Sequence, residues 1–573
     1  MSVSKLEELG RETMMRRLLA MLGLMLCATG AVADVYPVGA GTEGRHWLPE
    51  SPTAETSAKR YPITIQDGTI VTARDGVRLE GRLFVPTLAA GEKPTPCVLL
   101  SDGYGRESNA GASFDGPLFE LASRGYAVLH LSLRGSGRSG GVSDLYAHFG
   151  EDGYDAIEWM AKQTWCDGSV GMVGPSLLGI SQWLTAKTAP PHLKAIVPDV
   201  ACGDCYGELW YPGGMRPGPG REARKLAPGA EAEYSTAIQH PNFDDWWKRR
   251  TTLADAAAEI GKRGVAVFVA GGQDDYISPA NLRLFTELGA DAHKRLLFGS
   301  YAHGWHTQLF QELQVQWLDR WLKGEANGAD TASKVMLFVK GVDRWRLEDA
   351  WPLPDAHVTP LYLDDAKSGS IESLNDGALS PRAPASGATV ALPYKPADGP
   401  FLPVLLSATE GRSDVDQRAF EQKVATWTTT PLSVATEVTG YPHMTIWAAP
   451  SATDGDFVVS LNDVSPDGAS RQVMQGYLNA SHAANLHGAP MPLAPGETKR
   501  YEFDLFPVAY VFAAGHRIRV AVAGGADVGS ATPFPQGPGK NPQANTWTIS
   551  TDPAHASAIE LPIIGSAWSN FTQ

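Results

Sequence analysis

A chain of 573 residues is too long for one hydrophobic core and predicts two to four domains. With 43% hydrophobic and 19% charged residues, and with 16 Trp, 17 Tyr and 18 Phe, the composition is that of a packed globular protein and excludes general disorder. A formal net charge of -15 argues against the basic footprint that a nucleic-acid partner requires.

The first 33 residues read as a secretory signal. Arg16-Arg17 supply the basic region, Leu18 to Cys27 the apolar run, and Ala31-Val32-Ala33 the small residues before Asp34. That run is too short for a permanent membrane span. Cys27 follows Leu26 rather than a small residue, so no stable membrane or lipid anchor is expected. The acidic leader ahead of Met14-Met15 suggests that translation starts at one of those methionines. The mature protein is expected to be exported, periplasmic or secreted, from near Asp34. Its cysteines are then Cys97, Cys166, Cys202 and Cys205. Cys202-Gly-Asp-Cys205 suits either a small structural disulfide or two inert thiols. No second ligand pair completes a zinc site around it.

Alternating apolar residues over 61–86, with Asp75-Gly76 at the bend, predict an antiparallel hairpin. Cys97-Val-Leu-Leu100 reads as a buried parallel strand that runs into the Gly-rich loop Ser101 to Arg106. A helix near Leu118–Ser123, a strand at Ala127–Leu131, a helix at Tyr154–Lys162 and a strand at Val170–Val173 follow. Ala195–Pro198, Val265–Ala270, Arg295–Phe298 and Val335–Val339 are further strands, with a helix over Leu309–Lys323. This alternation predicts a doubly wound, mostly parallel sheet over about 60–340, with its chemistry at the carboxyl ends of the strands. Residues 201–263 break the pattern and are rich in aromatics, among them Trp210, Tyr211, Tyr234, Phe243, Trp246 and Trp247. They are expected to form a cap above the site, where the rings either line a substrate pocket or pack the cap itself. From 345 to 573 short β-like runs predict an all-β domain of jelly-roll type, with 375–400 a long Gly/Ala/Pro-rich connection.

The organising stretch is Val170 to Trp183. A strand ends in Gly174-Pro175-Ser176 and a helical pattern of Leu177, Ile180 and Leu184 follows. A serine at a sharp strand-to-helix turn is the setting of a nucleophile elbow, although the spacing here is G-x-S-x-x-G. A nucleophilic serine needs a base, and the base an orienting acid. Both residue types occur in the expected order, after later strands. Gly271-Gly-Gln-Asp274-Asp275-Tyr276 follows one strand and Tyr301-Ala-His303-Gly-Trp-His306 another. Asp274 is preferred to Asp275 because of its place between the strand end and Ile277, and His303 to His306 because it is nearer its strand. A metal site on the His-x-x-His pair lacks completing ligands. The amide of Leu177 and the phenol of Tyr104 are the candidate donors to an oxyanion. Trp183, Trp210, Tyr211, Phe243, Trp246 and Tyr276 are the candidate substrate contacts.

Several segments together resemble the CocE/NonD hydrolases and the related X-Pro dipeptidyl-peptidases and α-amino-acid ester hydrolases. They include Asp102-Gly-Tyr-Gly-Arg106, Arg134-Gly-Ser-Gly-Arg138, Trp165-Cys-Asp-Gly168, Gly171 to Trp183, Asp463 to Gly468 and Gly515 to Val520. The resemblance implies an α/β-hydrolase domain with a helical cap and a C-terminal jelly-roll domain. It also implies a triad of Ser176, Asp274 and His303 with Tyr104 and Leu177 as the oxyanion hole. Leu177 departs from the tyrosine usual after the serine, and no carboxylate cluster for a substrate ammonium is identifiable.

The expected activity is an exported serine hydrolase that cleaves carboxylic esters, or amides, through an acyl-enzyme and without a cofactor. A peptidase or acylase acting on N-terminal aminoacyl groups is one alternative. A carbohydrate- or envelope-binding protein built on a decayed hydrolase is another. The expected partner is a small ester, amide or short peptide; self-association is left open.

Overall fold

The computed structural model describes residues 38–49, 52–217, 235–303, 307–399, 401–403, 415–527 and 539–571. The proposed signal segment, Tyr234 and His306 lie outside them.

Eleven strands make the first sheet: β1 (His46–Trp47), β2 (Ile63–Thr72), β3 (Arg78–Pro86), β4 (Thr95–Asp102), β5 (Ala127–Ser132), β6 (Cys166–Pro175), β7 (Leu193–Asp199), β8 (Ala266–Gly272), β9 (Lys294–Gly299), β10 (Val335–Val339) and β11 (Arg344–Glu348). Their order across the sheet is β1-β11-β10-β9-β8-β7-β6-β4-β5-β3-β2. Pairing is parallel from β5 to β10 and antiparallel at both margins. The continuous apolar runs are explained by burial on both faces. Leu99, Leu129, Met172, Ile196 and Val269 join one core with residues of the helices Phe149–Met160, Leu177–Lys187 and Ser278–Glu287. Val98, Val128, Val173, Val197 and Phe268 join the other with the helices Asp115–Ser123 and Gln308–Leu322. The sheet is therefore doubly wound. It also runs beyond residue 340, because β11 folds back on β10 as a hairpin. The Cys97–Cys166 disulfide links the neighbouring strands β4 and β6, a pairing that the sequence separation of 69 conceals.

The described residues of the segment 201–263 include short helical turns, Cys205–Trp210, Pro212–Gly214 and Asp245–Lys248, and a longer helix, Ala254–Lys262. Cys202 and Cys205 are joined by a disulfide at its root. Its rings pack mainly on each other: Tyr206 lies 5.0 Å from Tyr211, 5.4 Å from Phe243 and 5.4 Å from Trp247.

From His357 onward strands predominate among the described residues, with their own core around Leu361, Trp427, Val438, Phe457, Val520, Trp547 and Leu561. The stretch read as a connection over 375–400 contains two strands, Gly377–Ser380 and Thr389–Tyr394. Their small residues and proline hide an alternation in which Leu392 and Tyr394 face inward. The sheet is mixed and branched, with antiparallel pairs predominating.

Candidate active site

Ser176 stands between β6 and the helix Leu177–Lys187 with φ 57° and ψ -124°. This is a conformation that a non-glycine residue holds only when its surroundings impose it. Those surroundings are tight. Gly174 has φ 135°, and a Cβ there would come within 2.6 Å of Leu178 Cβ. At Gly179 a Cβ would meet Ala201 Cβ at 2.7 Å and the Asp199 carbonyl oxygen at 2.9 Å. That carbonyl accepts the Ser176 N–H at 2.9 Å. The serine side chain makes no capping bond to the helix.

The other groups arrive from neighbouring strands. β7 separates β6 from β8, and β9 follows β8, so loops leaving their carboxyl ends converge. Ser176 Oγ is 2.6 Å from His303 Nε2, and His303 Nδ1 is 2.9 Å from Asp275 Oδ1. Asp275, not Asp274, is therefore the carboxylate on the imidazole. Its other oxygen accepts the Ser278 hydroxyl at 2.5 Å, and Ser278 Oγ accepts the Gly272 N–H at 2.9 Å. These bonds turn the Asp275 carboxylate inward, where it is 1% exposed. Asp274 points the other way, accepting from Lys340 Nζ at 2.7 Å and from Ser300 Oγ at 3.3 Å. A hydroxyl three residues after Asp275, at the start of the helix Ser278–Glu287, is the sequence signal that separates the two carboxylates. Gln273 braces the same loop: its amide donates to the Phe338 carbonyl at 2.6 Å and accepts the Ala509 N–H of the β domain at 2.9 Å.

Tyr104 brings its hydroxyl to 3.0 Å from Ser176 Oγ. Leu177 opens the helix after the serine, so its N–H belongs to the first turn, which has no intrahelical acceptors. Together with the positive end of the helix dipole, these donors suit a negative oxygen developing beside Ser176. The Leu177 side chain lies against Gly103, where a Cβ would approach Leu177 Cδ2 to 2.6 Å.

The six candidate substrate contacts fall into two groups. The Tyr276 ring lies 5.2 Å from the His303 ring, beside the reacting groups. Trp183 is fully buried under the turn and donates to Asn281 Oδ1 at 2.8 Å, which makes it a core residue. Trp210 packs on Trp247 at 5.9 Å and Tyr211 on Tyr206 at 5.0 Å. Phe243 sits 4.3 Å from the His487 ring of the β domain. Trp246 is stacked on His240 at 4.6 Å and covered by the Arg250 guanidinium at 3.6 Å. The spacing of aromatics in sequence gives no means of separating cap core from pocket.

Chemically, the arrangement can move a proton from Ser176 Oγ to His303 while Asp275 fixes the imidazole tautomer. Comparison with known proteins agrees with such chemistry. Residues 75–222 match the X-Pro dipeptidyl-peptidase (S15 family) profile, and residues 327–560 match the X-Pro dipeptidyl-peptidase C-terminal non-catalytic domain. Cocaine esterase of Rhodococcus sp. (strain MB1 Bresler) is 28% identical over 528 residues, covering 80% of this chain and 90% of the relative. A CocE/NonD family hydrolase from Staphylococcus aureus has the same fold, with a TM-score of 0.69 at 22% identity over 88% of this chain and 94% of that one. An α-amino-acid ester hydrolase superimposes with a TM-score of 0.69 at 20% identity, over 94% of this chain and 100% of that one. The two profile matches, over residues 75–222 and 327–560, place the chain in the X-Pro dipeptidyl-peptidase S15 family, and it is a serine hydrolase.

Proposed function

We propose that the protein is an exported esterase in which Ser176 is the nucleophile, His303 the general base and acid, and Asp275 the orienting carboxylate. The observation that carries this reading is the unbroken Ser176–His303–Asp275 hydrogen-bond chain at the carboxyl ends of the strands. Ser176 attacks the acyl carbon as His303 Nε2 takes its proton. The oxyanion is held by the Tyr104 hydroxyl and the Leu177 amide. His303 then protonates the leaving alkoxide, and water repeats the sequence on the acyl-enzyme.

Leu177, packed against Gly103 where the family usually has a tyrosine after the serine, gives the acyl pocket a different shape. Export is supported by the signal-like first 33 residues and by the two disulfides, which persist in an oxidising compartment. The jelly-roll reading of the β domain belongs to this proposal too, resting on its many antiparallel strands.

A panel of aryl esters, aminoacyl esters and X-Pro amides, run with the wild type and Ser176→Ala, tests the assignment. Esters are expected to turn over fastest and the variant to lose turnover of every substrate while keeping its fold. Undiminished turnover by Ser176→Ala overturns the reading, and a preference for X-Pro amides replaces esterase with dipeptidyl-peptidase.

A further inference from the structure

The Gly-rich loop that carries Tyr104 is backed by a buried charge network that the reaction itself does not use. Gly103 and Gly105 flank Tyr104, the second with φ 86°, so the local backbone has little stiffness of its own. What holds it is Asp102, the last residue of β4. Asp102 Oδ1 accepts the Tyr104 N–H at 2.8 Å. Its Oδ2 lies 3.0 Å from His130 Nε2, and His130 Nδ1 lies 2.9 Å from Asp115 Oδ1. Asp102 and His130 have no exposed surface. The Arg82 guanidinium, on β3, pairs with Asp115 and reaches Asp67 on β2 at 2.7 Å. The groups facing His130 are thus Asp102 from β4 and Asp115 from the helix Asp115–Ser123, with Arg82 behind the latter and the Phe114 ring 6.4 Å away edge-on.

A neutral imidazole has one N–H and cannot donate to two carboxylates at once. With an acceptor at each nitrogen, His130 is satisfied as the imidazolium. Burial works against that charge, but the hydrogen bonds to Asp102 and Asp115 outweigh it and raise its pKa above the ordinary value. Asp102 is in turn fixed in one rotamer by a charged partner on one oxygen, leaving the other aimed at the Tyr104 amide. The backbone of Asp102 is also held, its carbonyl accepting the Leu133 N–H at 2.9 Å and the Ser136 hydroxyl at 3.1 Å.

We propose that Asp102, locked by His130 and Asp115, is a positioning residue that sets the Tyr104 hydroxyl at the oxyanion position. The inference rests on the esterase reading above, in which Tyr104 is an oxyanion donor. Asp102 touches no reacting atom; it acts through the tyrosine alone. Loss of its charge should therefore matter only while the phenol is present.

The test is a double-mutant cycle of Asp102→Asn and Tyr104→Phe, with folded sites counted by stoichiometric labelling with a fluorophosphonate and kcat and KM measured on one aryl ester. Tyr104→Phe is expected to lower kcat by about 10²-fold, the scale of one oxyanion donor. Asp102→Asn is expected to lower kcat by about tenfold with KM nearly unchanged. In the Tyr104→Phe background it should add nothing, since groups acting as a unit are non-additive. Equal losses in both backgrounds, or no loss while Tyr104 is present, overturn the proposal. A Tyr104→Phe variant with unchanged kcat instead overturns the oxyanion role on which it rests. If Asp102→Asn yields no folded protein, His130→Gln takes its place in the same cycle with the same outcomes.

Discussion

At the scale of single residues, the choice between two adjacent carboxylates decides the mechanism. Asp275 is buried on the imidazole, whereas Asp274 is an ion-pair partner of Lys340. Asp275→Asn is expected to lower kcat by about 10⁴-fold, because an amide fixes the wrong tautomer of His303. Asp274→Asn should change kcat by less than about fivefold, the scale of a partly exposed ion pair. Steady-state kinetics of the two variants on one ester checks this, and the reverse ranking would return the role to Asp274. Residue types and chain order make Ser176 and His303 legible as candidates in sequence. The rotation of a turn is not, since it depends on where Ser278 Oγ and Lys340 Nζ sit in space. The same limit applies to His130, whose partners lie 28 and 15 residues away.

The elements of the first sheet are readable because strands buried on both faces leave continuous apolar runs, and the turn signals between them are strong. Short strands made of polar or small residues carry weaker patterns, which is why β11 does not stand out as part of the first sheet and 375–400 reads as a connection. At this scale the serine depends on how closely the helix Leu177–Lys187 approaches β7 and the segment after it. Gly179 allows that approach, and a methyl there would meet Ala201 and the Asp199 carbonyl. Gly179→Ala is expected to cost about 1–3 kcal/mol of stability, as overpacking does. It should also lower kcat, because the displaced carbonyl is the one that anchors the Ser176 N–H. Thermal unfolding and kinetics of the variant check both; an unchanged Tm and kcat would show the turn to be looser than described.

Across the whole molecule, the β domain is tied to the catalytic sheet by a fully buried ion pair. Arg346 on β11 donates to both Glu437 oxygens, at 2.8 and 2.7 Å, and neither side chain is exposed. Removing one partner of such a pair strands the other charge and costs about 3–5 kcal/mol, whereas replacing both with apolar residues can be nearly neutral. Glu437→Gln is expected to lower Tm while kcat per folded site holds, and Arg346→Met with Glu437→Leu to recover most of the loss. A Tm unchanged by Glu437→Gln would remove this pair from the account of the interface. Two domains are evident from the change of pattern along the chain, but no local signal pairs residues 91 positions apart. Turnover by the proposed route passes through a covalent bond between substrate and Ser176. The most direct measurement is rapid acid quenching during turnover of an activated aryl ester, followed by peptide mass spectrometry. The expected result is one acyl group on the peptide containing Ser176, absent from His303→Ala; an acyl group on another residue, or turnover with Ser176 never acylated, would contradict it.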